Sequence, residues 1–451
     1  MRVTRPGLHV WIVGLIALYF FVSGVRGASR ESTDFIPVYS GVRCLLHGCN
    51  PYSIPDLNQQ FLGSGGREND LRQAGGWQNE SPLYPPSTLV TLLPLGLLPF
   101  PAAKIAWSLL SGGLFIVAVW LVLSLCRPPH QWLTTLLAAL FLLINGQIVR
   151  LGQPSGFAIS LLAISVALFM RRGSPLLAAC LLALSLAVKP QIGGLIAVYL
   201  LAHKAHRRYA GLAVAAALGL FLLGALILHM RPGSAHWVAD LRTSITASMQ
   251  PGQVNAPDAP DVGVANLAGI TSPVFAGRRR ANLIAIGIFL LLAAAWAVGA
   301  ARDTEDPEAA ILALGALSAL SLLPVYHRQY DSALLLLSMP SLLVILERRR
   351  VLGAIIACLT FPAGALFPGI LGEFLWTHAP AVRQSLLDNK FSMFLVISSA
   401  DDLPSRFRDL LTNKFFFVLL LRQQNLVLLL VACLYIVAMY TARSPHGLPQ
   451  P

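Results

Sequence analysis

Asp34 stands a few residues beyond the first membrane-length apolar segment, which covers about residues 8 to 25. It lies at the head of a polar stretch that reads S-T-D-F-I-P-V-Y and continues to about residue 85. A carboxylate held at the water edge of a hydrophobic bundle suits a general base acting on a lipid-linked substrate. We therefore interpret Asp34 as a candidate general base.

Lys189 interrupts an otherwise apolar stretch that reads S-L-A-V-K-P-Q-I-G-G. Ionisable groups at membrane depth cost several kcal/mol on insertion scales, so a lysine here needs a reason. Lys189 either snorkels to the membrane surface or reaches into the helix bundle as a counter-ion. The sequence supports both interpretations.

A polar segment at residues 324–332 reads P-V-Y-H-R-Q-Y-D-S and connects two apolar segments. One interpretation is an exposed turn. The functional interpretation is a group of hydrogen-bond donors, in which His327 or Arg328 holds a phosphate-like leaving group and Tyr330 shapes a sugar pocket.

Consecutive arginines and a glutamine supply further candidate contacts to a donor. One interpretation is that a long loop, which need not follow the positive-inside rule, contains Arg278, Arg279 and Arg280. The other is that these arginines form an anion site for a lipid phosphate. Gln153 lies in another predicted outer turn, where its amide suits sugar hydroxyls but also suits helix capping.

The composition places these residues in a membrane protein. Of the 451 residues, 56% are hydrophobic and 12% are charged, and the mean hydropathy is +0.67. A soluble core of this size cannot bury so much apolar surface. The net charge of +13 comes from short basic clusters between apolar segments, which is typical of topology signals and argues against nucleic-acid binding.

The apolar segments predict about 12 transmembrane helices in a single integral membrane domain, residues 1–451. They cover about residues 8–25, 102–125, 131–147, 155–170, 174–188, 190–203, 209–229, 281–301, 308–325, 331–346, 351–371 and 420–441. A further span at 87–100 would move the later basic clusters outward, so this proline-rich segment is predicted to lie in the interface. The N-terminus is then cytoplasmic, and the loops 26–101, 230–280 and 372–415 face outward.

Aromatic and proline residues alternate with polar stretches in the first outer loop, 26–101. This pattern fits short amphipathic helices resting on the bilayer. Tyr39, Tyr52 and Tyr84 are candidates for positioning the loop or an acceptor, since aromatic faces stack on sugar rings. Cys44 and Cys49 share the loop and can form a disulfide in an oxidising compartment. No zinc-ligand spacing is present in the sequence.

Several short motifs occur in a characteristic order along the chain. They are D-F-x-x-x-Y, G-x-N-P-Y, L-Y-P-P, L-x-P-L-x-L-L-P, A-x-x-x-W, G-Q, K-P and P-V-x-H. Over about residues 10–345 this order resembles glycosyltransferase family 87. The resemblance implies the GT-C fold, an all-α polytopic membrane protein with about a dozen transmembrane helices and interfacial helices in the first outer loop.

The resemblance also implies an activity. Such enzymes are inverting hexosyltransferases of the bacterial inner membrane that move a sugar, commonly mannose, from a polyprenyl phosphate to a glycolipid or glycan acceptor on the outer face. Asp34 matches the catalytic carboxylate and His327 the histidine of the late turn, although the chain departs from many relatives around that turn. The residues from about 372 to 451 match nothing in the family.

The chemistry requires a base for the acceptor hydroxyl and cations for the departing phosphate, so neither a metal nor another cofactor is expected. No D-x-D motif of the kind that holds a nucleotide sugar through a cation is present. The alternative is a transporter or flippase of a lipid-linked or anionic substrate, for which a broken helix at Lys189 would be typical. A lipid-linked polymer ligase shares the large outer loops. The absence of an inverted repeat in the sequence favours the transferase.

Overall fold

The structure is a computed structural model that describes residues 8–73, 83–125, 131–250, 264–275, 277–301, 306–365 and 423–442. The contacts divide the chain into two compact units, and the single integral membrane domain stays a prediction. The first unit comprises residues 1–122 and 131–256, and the second comprises residues 123–130 and 257–451.

The first unit is built from α-helices joined by short connections. In chain order they are α1 (Leu8–Arg30), α2 (Phe35–His47), α3 (Ile54–Gly63), α4 (Glu68–Gln73), α5 (Pro86–Thr91), α6 (Leu93–Gly96), α7 (Phe100–Leu123), α8 (Gln131–Ile144), α9 (Gln147–Leu151), α10 (Pro154–Met170), α11 (Pro175–Val188), α12 (Pro190–Ala202), α13 (Arg207–His229) and α14 (Trp237–Ser248). Proline opens α5, α10, α11 and α12, because its fixed φ suits the first helical position, where no N–H is needed.

Close helix contacts place the end of α1 beside the segment that follows α9. Helix α1 packs against α8 and α9, while α10 packs on α11, and α11 packs on α13. Gly24 of α1 allows the approach to α9, since a Cβ atom at Gly24 would lie 2.8 Å from the Cβ of Val149. Any larger residue at this position would push the two helices apart.

The first outer loop of the sequence analysis contains the short helices α2 to α6. The longest of them, α2, has 13 residues and is therefore about 20 Å long, too short for a hydrocarbon core of about 30 Å. Helices α5 and α6 have six and four residues and occupy the proline-rich segment that was predicted not to span. These lengths agree with the prediction of a loop of short helices.

The second unit combines helices with one small sheet. Its elements are β1 (Val264–Ala265), α15 (Ala268–Val274), α16 (Arg278–Ala300), α17 (Pro307–Leu320), β2 (His327–Arg328), a 3-10 segment (Gln329–Ser338), α18 (Met339–Arg348), α19 (Arg350–Ala365) and α20 (Gln423–Thr441). The two strands are antiparallel, with Val264 opposite Arg328 and Ala265 opposite His327. Helix α17 packs against α20, α18 and the 3-10 segment.

The helices confirm an all-α polytopic membrane protein. Among the described residues, seven helical segments are long and apolar enough to cross a membrane, and five apolar helices are shorter. The long segments are Leu8–Arg30, Phe100–Leu123, Gln131–Leu151, Arg207–His229, Arg278–Ala300, Tyr330–Arg348 and Gln424–Thr441. Each of the twelve predicted segments overlaps one of these long or short helices, while the number of spans stays a prediction.

Three local differences separate this fold from the sequence prediction. The predicted helix 331–346 begins as the 3-10 segment and becomes α-helical only at Met339. The predicted turn before it contains strand β2, because its backbone pairs with β1 from a distant part of the chain. The predicted loop 230–280 contains α14, β1 and α15. The predicted loop 372–415 lies outside the described residues.

Candidate active site

Asp34 lies in the short connection between α1 and α2, and this connection is bonded to the end of α9. The amide of Ser32 donates to the carbonyl oxygen of Arg150 over 3.2 Å, and the amide of Asp34 donates to that of Leu151 over 3.1 Å. Asp34 precedes the first residue of α2, yet its side chain forms no capping hydrogen bond to that helix. The Asp34 side chain therefore does not act as the cap of α2.

The Asp34 carboxylate accepts a hydrogen bond from Gln153, whose Nε2 atom donates to Oδ2. Gln153 immediately precedes α10 and is almost fully buried. Its other amide atom, Oε1, is buried and has no hydrogen-bond partner among the described residues. A buried acceptor without a partner costs about 1–3 kcal/mol, so this oxygen is an unusual feature of the site.

An aromatic layer fixes the backbone beside this pair. The rings of Phe35 and Trp107 stack with centroids 5.3 Å apart, and the indole N–H of Trp107 donates to the carbonyl oxygen of Gly152 over 2.9 Å. Gly152 has a φ of +69°, and a Cβ atom there would lie 2.8 Å from the Cβ of Phe35. Only glycine fits both the space and the left-handed backbone.

Lys189 reaches the same end of α10 from the break between α11 and α12. Its Nζ atom donates to the hydroxyl oxygen of Ser155 over 2.5 Å, and only 9% of the residue is exposed. Lys189 has an extended φ of −151°, because a residue that precedes proline avoids the helical region. Of the two interpretations of Lys189, the structure agrees with a lysine that points into the bundle.

Two hydroxyl groups of α5 stabilise the break that positions Lys189. Ser87 donates to the carbonyl oxygen of Ala187 over 2.7 Å, and Thr88 donates to that of Val188 over 2.8 Å. These carbonyls are among those that the end of α11 leaves without an intrahelical partner. The first turn of α10 therefore carries two polar side chains, one bonded to an acidic residue and the other to a buried lysine.

The three tyrosines of the first loop hold its backbone in place. Tyr39 donates its hydroxyl to the carbonyl oxygen of Leu98 over 2.7 Å, and Tyr52 donates to that of Tyr84 over 2.9 Å. Burial raises the pKa of both Tyr39 and Tyr52, so the two groups stay protonated as donors. Tyr84 packs against the same core cluster. A disulfide joins Cys44 and Cys49, whose Cα atoms are 4.6 Å apart.

In the second unit, His327 is fully buried and bonded within the protein. Its Nδ1 atom lies 3.2 Å from Oδ2 of Asp331, and its Nε2 atom lies 3.1 Å from the carbonyl oxygen of Ser321. Each ring nitrogen thus faces an oxygen atom of another residue. The ring therefore ties the end of α17 to the 3-10 segment, a positioning role that the sequence pattern did not suggest.

The other candidate donor contacts of the second unit lie close to His327 or at the start of α16. Arg328 donates through Nε to the hydroxyl of Tyr326 over 2.5 Å, and Tyr330 is partly exposed at the start of the 3-10 segment. Arg278 and Arg279 are exposed in the first turn of α16. Their predicted contacts with a donor phosphate or sugar stay predictions.

Sequence reasoning did not single out Ser155 and Trp107 as residues that support the site. Ser155 had a usable signal, because it stands at the second helical position after a Gln-Pro pair. Trp107 ends the A-x-x-x-W motif, but the motif gave it no individual role. Within the described residues, no group of three or more His, Cys, Asp or Glu side chains is arranged to hold a metal ion.

The many apolar helices and the buried polar residues at the start of α10 define a polytopic membrane protein with a candidate catalytic site. The model of glycosyltransferase family 87 matches residues 83–324, more than half of the chain. The chain therefore belongs to glycosyltransferase family 87, and it is a membrane glycosyltransferase. No curated protein matches it significantly.

The matched range contains Gln153, Ser155 and Lys189 but neither Asp34 nor His327. The roles assigned to Asp34 and His327 are therefore supported by their surroundings and by the order of the sequence motifs, and not by the family match. Family membership favours a transferase over the transporter and flippase alternatives, and it sets the chemistry that the site must perform.

Proposed function

We propose that this glycosyltransferase moves a sugar, mannose in the first instance, from a polyprenyl phosphate to a lipid or glycan acceptor at the outer face of a bacterial inner membrane. The observation that supports this proposal is the Asp34 carboxylate, which bonds to Gln153 beside the start of α10, where Ser155 bonds to Lys189. A carboxylate and a cation at one site suit a reaction that needs both a base and a partner for phosphate.

The reaction that we propose is a single displacement. The acceptor oxygen bonds to the anomeric carbon as the bond from that carbon to the phosphate oxygen breaks, and the leaving phosphate keeps the bonding electron pair. The acceptor hydroxyl proton passes to the Asp34 carboxylate. One carboxylate is enough because attack from the face opposite the phosphate inverts the anomeric centre without a covalent enzyme intermediate.

Gln153 has two roles in this proposal. Its Nε2 donor fixes the orientation of the Asp34 carboxylate, so that the base is positioned before the acceptor binds. Its unpartnered Oε1 acceptor takes a hydrogen bond from a second hydroxyl of the acceptor sugar. Lys189 and the first turn of α10 supply positive potential for the phosphate, since a helix N-terminus and a buried ammonium both attract an anion.

The first test is the Asp34→Asn variant of the purified enzyme in lipid nanodiscs. We expect sugar transfer from a synthetic polyprenyl phosphate mannose to fall by roughly 10²–10⁴-fold, the usual contribution of a general base, while donor binding changes little. The matched control is Glu31→Gln, which removes a partly exposed carboxylate three residues away that pairs with Arg150 and should leave transfer almost unchanged. Full activity of Asp34→Asn would overturn the assignment of the base.

The donor is tested separately with the unmodified enzyme. Polyprenyl phosphates that carry mannose, glucose or a pentose are compared with the corresponding nucleotide sugars, and the product is identified by mass spectrometry. We expect turnover with a polyprenyl phosphate and none with a nucleotide sugar. Turnover with only nucleotide sugars would refute the proposed donor class, whatever the role of Asp34.

A further inference from the structure

Basic residues from two connections of the first unit form an exposed patch. The connection from α10 to α11 contains Arg172, and the connection from α12 to α13 contains Lys204. Helix α13 then begins with Arg207 and Arg208. All four residues are exposed, and together they are called the basic patch.

Ring contacts bring the two connections together. Phe169, near the end of α10, and His206, just before α13, have ring centroids 5.2 Å apart. His206 also stacks on His203, with centroids 4.8 Å apart. Burial, followed by the positive charges of His203 and Arg172, lowers the pKa of His206 to about 4. The charge of Arg172 thus acts on a residue of the other connection.

Acidic residues do not balance the charge of the basic patch. The sequence contains no Asp or Glu between Glu80 and Asp240. Among the described residues, the four cations of the patch form no salt bridge. Arg207 donates through Nε to the carbonyl oxygen of Leu201 over 3.3 Å, which leaves its charge and its other N–H donors in place. The patch therefore offers its positive charge to an anionic partner.

The basic patch lies at the end of α10 opposite to the candidate active site. Helix α10 has 17 residues and is therefore about 25 Å long, with Gln153 at its start and Arg172 just after its end. Helix α13, which begins in the patch, is one of the helices long and apolar enough to cross a membrane. We therefore expect the patch to lie at the membrane surface opposite to Asp34, where lipid phosphates are the abundant anions.

Exposed leucines follow the cations of both connections. Leu176 and Leu177 lie in the first turn of α11, after Arg172, and Leu212 lies one turn beyond Arg208 on α13. Each leucine is about half exposed. An apolar surface beside a cation suits a phospholipid, in which the phosphate and the acyl chains are adjacent. Each connection thus offers the contacts that one phosphatidyl group needs.

We propose that the basic patch binds a diphosphatidylglycerol lipid, with one phosphate at Arg172, the other at Arg207 and Arg208, and acyl chains along the leucines of α11 and α13. This lipid has two phosphodiesters joined by one glycerol, so a single molecule contacts both connections. Phosphatidylglycerol has one phosphodiester and contacts only one of them. The inference is independent of the proposed function, because the lipid binds at the opposite end of α10 and takes no part in sugar transfer.

Binding of lipids to the delipidated full-length protein tests this inference without an activity measurement. Native mass spectrometry in detergent counts the bound molecules after addition of diphosphatidylglycerol, phosphatidylglycerol, phosphatidylcholine or inorganic phosphate. We expect one diphosphatidylglycerol to bind at least about tenfold more tightly than any of the others, because it contacts cations of both connections. Equal affinity for phosphatidylglycerol, or for inorganic phosphate, would overturn the proposal.

Hydrogen exchange at the C2 atom of the histidine rings, measured by mass spectrometry, locates the lipid on the unmodified protein. A phosphate beside His206 stabilises the protonated ring, so the pKa of His206 should rise from about 4 when diphosphatidylglycerol binds. The exchange of His47, an exposed residue of α2, should not change. Lipid binding without a change at His206 would place the lipid elsewhere and refute the site.

Substitutions test the cations directly. Arg207→Gln, Arg208→Gln should weaken the binding of diphosphatidylglycerol at least about tenfold, and Arg207→Lys, Arg208→Lys should keep most of it. The matched control Arg26→Gln, Arg30→Gln removes the same charge from exposed positions near the end of α1 and should bind the lipid normally. Equal thermal stability of the variants shows that folding is intact. Unchanged binding by the Gln variant of the patch would contradict the proposal.

Discussion

Gln153 illustrates how one amide side chain connects the base to its surroundings. Its Nε2 atom bonds to the Asp34 carboxylate, and its buried Oε1 atom has no partner in the described part of the chain. Hydrogen bonds to a charged group contribute about 1.5–3 kcal/mol. Loss of this bond would allow the carboxylate to adopt other orientations. We therefore expect the loss to lower the rate of the chemical step.

We expect Gln153→Leu to lower the kcat for sugar transfer by roughly 10- to 100-fold, because the base loses its orienting donor and the acceptor loses a hydrogen-bond partner. Gln153→Glu should be at least as damaging, since a second carboxylate repels the first. Steady-state kinetics with polyprenyl phosphate mannose measure both, and thermal unfolding separates a catalytic loss from a folding defect. The control is Gln59→Leu, at an exposed position on α3. An unchanged kcat for Gln153→Leu would contradict the role assigned to Gln153.

At the scale of elements, the connection from α9 to α10 has to be both tight and stable. Gly152 adopts a left-handed backbone there, while Trp107 bonds to its carbonyl oxygen and Phe35 covers its Cα. The next residue is Gln153, so any shift of this backbone moves the partner of Asp34. The site therefore depends on a glycine that performs no chemistry.

Gly152→Ala is expected to destabilise the protein by about 1–3 kcal/mol, since both the positive φ and the contact with Phe35 are unfavourable for a Cβ atom. Sugar transfer should fall as well, because Gln153 moves. The matched control is Gly113→Ala on α7, where no atom lies within 4 Å of an added Cβ and alanine is neutral or slightly stabilising. Thermal unfolding and transfer assays on both variants check this. Equal stability of the two variants would show that the connection tolerates a side chain.

The helices themselves were predictable from sequence, whereas their pairings were not. Hydropathy located the segments that became α1, α7 and α13, because the bilayer demands about twenty apolar residues for each span. The position of Asp34 after α1 followed from the same pattern. Its bond to Gln153 did not, since it joins residues 119 positions apart and depends on how α1 packs against α9.

The contacts of some residues could not be predicted, because the sequence around these residues has no distinctive feature. Lys104 lies at the edge of a predicted span, where a lysine usually marks the end of a helix. Only the packing of α7 against α1 shows that it shares a groove with Arg26. The predicted contact of His327 with the donor stays a prediction, whereas its buried contacts with Asp331 and the carbonyl oxygen of Ser321 appear only in the structure. The burial of a side chain and its hydrogen-bond partners depend on the tertiary structure, which a short sequence motif does not specify.

At the scale of the whole molecule, the proposed reaction requires the first loop to face outward. The disulfide between Cys44 and Cys49 supports this orientation, because disulfides persist in oxidising compartments. The basic clusters between predicted spans support it independently, since short cytoplasmic loops carry an excess of Lys and Arg. Asp34 and α3 belong to the same loop, and neither α2 nor α3 is long enough to cross the bilayer between them.

Cysteine labelling in intact cells tests this orientation. Gln59→Cys on α3 and Lys204→Cys between α12 and α13 place single thiols at exposed positions, in a background where Cys126, Cys180, Cys358 and Cys433 are alanine. We expect a membrane-impermeant maleimide to label Gln59→Cys in intact cells and Lys204→Cys only after permeabilisation. The parent background without an added thiol controls for the disulfide, which should stay unlabelled. The reversed pattern would place Asp34 on the cytoplasmic side, and transfer at the outer face would then be wrong.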